Sequence, residues 1–167
     1  MSGIDGSPEI KKLMEKEKIS RIPETELERY LGFFKSSHKD NLSHSEYVLD
    51  IHPRWSIISG YYAMHDLTKL YLAREYHIKI EEDVHQTTIL VLNEALKDEE
   101  LIALFESGYE EYRRMAEELA SAKRERTRAQ YYTGTPFSSE YFKRRARKFH
   151  DEKVLPYIEK LMIIRGD

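Results

Sequence analysis

Arg144, Arg145 and His150 are the residues of this 167-residue chain whose types could cut a phosphodiester without a metal. An imidazole can act as base or acid, and a guanidinium can hold the phosphate and the charge that develops on it. The two arginines precede the histidine by six and five residues. Helical neighbours lie three and four apart, so the three do not share one face well. Seven histidines (His38, His44, His52, His65, His77, His85 and His150) form no tight metal-ligand spacing. His38, Asp40 and His44 share a polar stretch, and no metal is expected there. His65-Asp66 lies inside an apolar segment, where an ionisable pair is either hydrogen-bonded structure or a site. Cysteine is absent, which excludes a thiolate metal site, a cysteine nucleophile and a disulfide framework. There is no glycine-rich phosphate loop and no Gly-x-Ser-x-Gly elbow. No cofactor is expected.

The net charge of −3 conceals an asymmetry. From Lys123 to Lys148 nine Lys and Arg residues stand against Glu125 and Glu140, so this stretch is seven positive and the remainder ten negative. Two basic runs flank Thr133-Gly-Thr-Pro136, with Tyr131, Tyr132, Phe137 and Tyr141 between or beside them. Cations on phosphates with rings on bases is how single-stranded nucleic acid is held. The candidate binding residues are Arg124, Arg126, Arg128, Tyr132, Lys143, Arg144, Arg145, Arg147 and Lys148, with guanidinium heads expected at the surface. The same residues also fit a solvated or salt-bridged face.

Positioning these side chains falls to helices. Hydrophobic residues make up 40% and charged residues 34%, with seven Gly and five Pro, which is a globular composition rich in helix formers. Ser7-Pro8-Glu9 reads as a helix start running to about Ile19. Pro23 opens a second helix, and Ser36–His44 is expected to fray or loop. Arg54–Tyr76 is apolar nearly all round, the pattern of a buried central helix, and Ser56, Gly60 and Ala63 offer a small face for a close neighbour. Asp83 and Gln86 fit a capping box for a helix to Leu96. Leu101–Phe105 is expected as a short turn ending near Gly108. Tyr109, Tyr112, Met115, Ala116, Leu119 and Ala122 repeat at three and four in a long helix. Ser138 or Ser139 caps the last helix, which carries Phe142, Ala146, Phe149, Tyr157, Ile158 and Leu161 inward and is expected to kink at Pro156, which removes a backbone hydrogen bond. No useful period-two strand exists. The expected fold is all-α: an up-down antiparallel bundle of four long helices plus short ones. No run of about 18 apolar residues exists, so no membrane span is expected.

Several stretches resemble the HEPN domain family (higher eukaryotes and prokaryotes nucleotide-binding). Arg54, Tyr61, Tyr62, Ala63 and Met64 match the pattern of its second helix. His85 is similar to the His that opens its third. Arg126-x-x-Ala129-x-Tyr131 resembles its Arg-x-x-Ala-Asp-Tyr, with Gln130 in place of Asp. Ala146 and Phe149 resemble its closing helix. The resemblance covers about 24–162, making 1–22 an N-terminal helical extension and 23–167 the bundle. It implies a homodimer, and a nucleotidyltransferase partner of toxin–antitoxin type. It also implies a catalytic Arg followed after four to six residues by His. Arg126 would be that Arg, but positions 131–133 hold Tyr, Tyr and Thr, so the motif is missing in its register. The resulting expectation is a cytoplasmic RNA- or nucleotide-binding protein acting with a partner. The rivals are a metal-independent endoribonuclease using Arg126 or Arg145 with His150, and an interaction module without nucleic acid.

Overall fold

Ser7 and Pro8 start the first helix as their chemistry dictates. The Ser7 hydroxyl accepts from the backbone N–H groups of Glu9 (3.2 Å) and Ile10 (3.4 Å), and proline in the first turn loses no hydrogen bond. The computed structural model describes residues 3–128 and 139–166, apart from the side chains at 119, 121–128 and 139. Helix α1 (Pro8–Glu15) stops earlier than its apolar pattern implies. Glu17 turns the chain at φ 55°, and Ile19–Arg21 forms strand β1. After α2 (Glu24–Val48) and α3 (Pro53–Tyr76), strand β2 (Ile78–Ile80) pairs antiparallel with β1, Ile19 opposite Ile80. These two three-residue strands are too short to show a period-two signal. Helices α4 (Val84–Leu96), α5 (Glu99–Arg128) and α6 (Ser139–Phe149) follow, then a π-helical turn (His150–Val154) and α7 (Leu155–Arg165). The fold is an all-α bundle of long helices with short additions, as expected.

Helix α3 is the centre. Ile57, Tyr61, Met64, Leu67 and Leu72 have no solvent exposure. Its small residues serve close approach to α2 and the chain's last third. Ser45 and Ser56 exchange hydrogen bonds, each hydroxyl donating to the other's carbonyl at 2.9 and 2.8 Å. A Cβ on Gly60 would lie 2.9 Å from Val154 Cγ2 and 3.3 Å from Phe149 Cε1, so only glycine fits without displacement. Ile4, Ile10, Leu13 and Ile19 of the N-terminal segment join the same core.

Three expectations fail for physical reasons. The Ser36–His44 stretch is continuous helix within α2. Three of its polar side chains bond across the helix pair, Ser37 and Asn41 donating to Asp66 on α3 at 2.6 and 3.0 Å and His44 Nδ1 meeting Ser59 Oγ at 2.6 Å. Asp83 does not cap α4: it sits at φ 46°, and its carboxylate binds Lys18 Nζ at 2.5 Å instead. Gly108 does not end a helix but lies inside α5, where an added Cβ would meet Met64 Cε at 2.8 Å. It marks a helix crossing.

The π turn explains the spacing of the closing helices. Phe142, Ala146 and Phe149 are buried, and so are Val154, Tyr157, Ile158 and Leu161. At about 100° per residue a regular helix would set these two stripes about 100° apart. The turn takes up one extra residue, with Leu155 N–H bonding His150 C=O five residues back, and brings the stripes into line. Pro156 gives no N–H and would strike the carbonyl four residues before it in a regular helix. Just before Pro156, where a kink is expected, the chain forms this wide turn.

Candidate functional site

Helix α6 fixes the fate of its cations through its buried side. Phe142, Ala146 and Phe149 face the core, so Tyr141, Arg144 and Lys148, at three- and four-residue spacing, share an outer stripe. Arg144 and Lys148 are exposed and make no ion pair among the described residues. Tyr141 is 48% exposed. Lys143 pairs with Glu140 at 3.3 Å, and Arg147 bonds Asp50 at the α2–α3 corner at 2.8 Å. A groove of about 360 Å³ runs between α5 and α6, with Arg114, Arg145, Lys148 and Lys153 on its walls beside Glu110, Glu111 and Glu152. Its cations and carboxylates nearly balance.

Arg145 is not the surface cation expected. Its side chain is only 13% exposed, its Nε donates to Glu111 and its Nη1 to Glu118 at 2.7 Å. It clamps α6 to α5. His150 is also buried, with Nδ1 3.1 Å from Asp151 and Nε2 3.7 Å from Glu46 of α2. The two heads thus meet different partners and do not converge on one open site. The side chains of Arg124, Arg126 and Arg128, and all of Tyr131, Tyr132 and Phe137, lie outside the described residues.

The structure assembles a second cluster that spacing alone did not bring together. Tyr61 hydrogen-bonds His85 Nδ1 through its hydroxyl. The His85 ring stacks on Tyr109 with centroids 4.0 Å apart, and Tyr61 stacks on Tyr112 at 4.7 Å. His65, 4% exposed, lies among Tyr61, His85 and Phe105, and its Nε2 has no hydrogen-bond partner among the described residues. His65 Nδ1 is 3.9 Å from Asp66, too far for a hydrogen bond. The signals were Tyr61 and His65 four apart and Tyr109 and Tyr112 three apart, but nothing local told which helix His85 would face. His85 is half-buried.

Burial holds both imidazoles neutral. It lowers His65 below its usual range, with Lys69 adding to the effect against the pull of Asp66, and lowers His85 to about 4. In the unfolded chain both titrate near 6.5. The folded form therefore has its full advantage above pH 6.5 and loses it as pH falls from about 6.5 towards 4, because the unfolded state binds protons first. Each imidazole contributes at most about 1.4 kcal/mol per pH unit, and half-exposed His85 less, owing to solvent screening. Urea midpoints should fall between pH 7 and 5, and His85→Gln should flatten that slope. A midpoint constant across this range would show that the imidazoles stay equally protonated in both states.

No helix among the described residues is long and apolar enough to cross a membrane, and no group of three potential metal ligands occurs among them. Comparison with known protein families, curated proteins and solved structures finds no match for this chain.

Proposed function

We propose that this chain is a HEPN-like RNA- or nucleotide-binding protein that acts as a homodimer with a partner such as a nucleotidyltransferase. The observation that carries the binding is the α6 stripe. Arg144 and Lys148 are exposed cations without carboxylate partners among the described residues, and half-exposed Tyr141 lies beside them. The basic run of α5 continues towards the same helix in sequence. Structural needs account for Arg145 and Arg147, which bind carboxylates, but not for Arg144 and Lys148. The association is supported by the resemblance and by Tyr47, Ile51 and Trp55, which leave 76%, 60% and 55% of their surface open near the α2–α3 corner. Monomers seldom expose large apolar patches.

Fluorescence anisotropy with a labelled single-stranded RNA tests the binding. Arg144→Ala and Lys148→Ala should each weaken it and reduce the salt slope by about 1, while circular dichroism and urea midpoints stay unchanged. An RNA affinity indifferent to salt and to both changes leaves an interaction module without nucleic acid. RNA cleavage in EDTA that is lost in His150→Ala would instead establish the endoribonuclease.

A further inference from the structure

The middle of α2 meets the C-terminal turns of α3 and α7 around a pocket of about 530 Å³, within the range of small-molecule sites. Leu31, Leu70 and Met162 supply apolar lining. Lys35, Lys39, Arg74 and Arg165 supply cations to its wall beside the carboxylate of Glu28, and Arg74 also pairs with Glu75 at 3.6 Å. That is a concentrated positive charge in a chain whose net charge is −3. Arg74 and Arg165 stand in the last turns of their helices, where the helix dipole favours cations. Lys35 and Lys39 have no such reason. They lie in the interior of α2, four residues apart, exposed and without an ion pair among the described residues. Like charges at that spacing weaken a helix.

We propose that this pocket binds a small organic anion, with a phosphate or carboxylate head held by Lys35 and Lys39 and a compact apolar body against Leu31, Leu70 and Met162. The site shares no residue with the α6 stripe and does not depend on the RNA-binding reading. Apolar lining favours the body of the ligand by removing its surface from water, and the cations select the charged head. Gly32, also in the lining, gives a steric handle. A Cβ there meets nothing within 4 Å, so a larger side chain enters the pocket without straining α2, and loss of a mid-helix glycine does not weaken the helix.

The full chain is titrated calorimetrically with octyl phosphate, octanoate, 1-octanol and inorganic phosphate, each below its aggregation limit. Octyl phosphate or octanoate should bind at least tenfold more tightly than octanol or inorganic phosphate, and the tighter of the two identifies the head. Gly32→Leu and the double variant Lys35→Gln/Lys39→Gln should each weaken that binding at least tenfold with unchanged circular dichroism. If Gly32→Leu does not fold, the glutamine pair, which alters only exposed side chains, decides the matter. Absence of binding overturns the proposal. So does inorganic phosphate or octanol binding as tightly as the amphiphiles, and so does binding that survives the glutamine pair.

Discussion

Tyr61→Ala should lower the unfolding free energy by about 3–5 kcal/mol, the range for truncating a buried aromatic side chain. The ring is fully buried and touches Tyr62, His65, His85, Phe105, Tyr109 and Tyr112. It joins α3, α4 and α5 at one point, so no single neighbour can move in to fill the space without loosening another contact. Its hydroxyl adds the bond to His85. Burial pushes this hydroxyl's pKa upward, so it stays protonated and donates to neutral His85. Tyr61→Phe separates the two contributions. It keeps the ring stack and removes the bond, at a cost of about 0.5–1.5 kcal/mol. Urea denaturation of both variants checks this. Equal losses in the two would mean that the hydroxyl, not the ring, carries the stability of the cluster.

Arg145→Ala should cost about 2–4 kcal/mol, because at a partly buried crossing of α5 and α6 it removes the cation from Glu118 and leaves Glu111 only Arg114, at 3.2 Å. Glu111 is 14% exposed and Glu118 38%, which places the effect below that of a fully enclosed pair. Arg145→Lys should recover only part of the loss, since one ammonium cannot replace a planar fork that reaches two carboxylates. The urea midpoint measures this, and RNA affinity of the folded variant measures the alternative role. Wild-type stability with lost RNA binding would return Arg145 to the nucleic-acid face.

The bundle was legible in the sequence because burial repeats with helical period: Phe142, Ala146 and Phe149 reached the core, as did Met115, Tyr157, Ile158 and Leu161. The buried character of Arg54–Tyr76 was equally plain, although Trp55 turned out exposed. Illegible were features set by distant partners. Ser37 and Asn41 look like loop residues until Asp66 stands opposite them. Asp83 looks like a cap until Lys18, 65 residues earlier, takes its carboxylate. Arg145 is one arginine among several in its run, and only the carboxylates of α5 distinguish it from Arg144. The π turn had a local signature, the five-residue step from Phe149 to Val154 with Pro156 just beyond.

That turn makes the closing rod unequal in its tolerance of changes in length. Removing one residue from within α6 or α7 would rotate the part of the apolar stripe beyond it by about 100°. Removing one within His150–Val154 would leave the stripes in phase, since it merely replaces a hydrogen bond reaching five residues back with the ordinary one reaching four back. What opposes that shortening is Pro156, whose ring would then meet a carbonyl of the tightened turn. The proline and the surplus residue therefore form a matched pair. Either can be changed safely only with the other, and a relative of this chain that lacks the one should lack both.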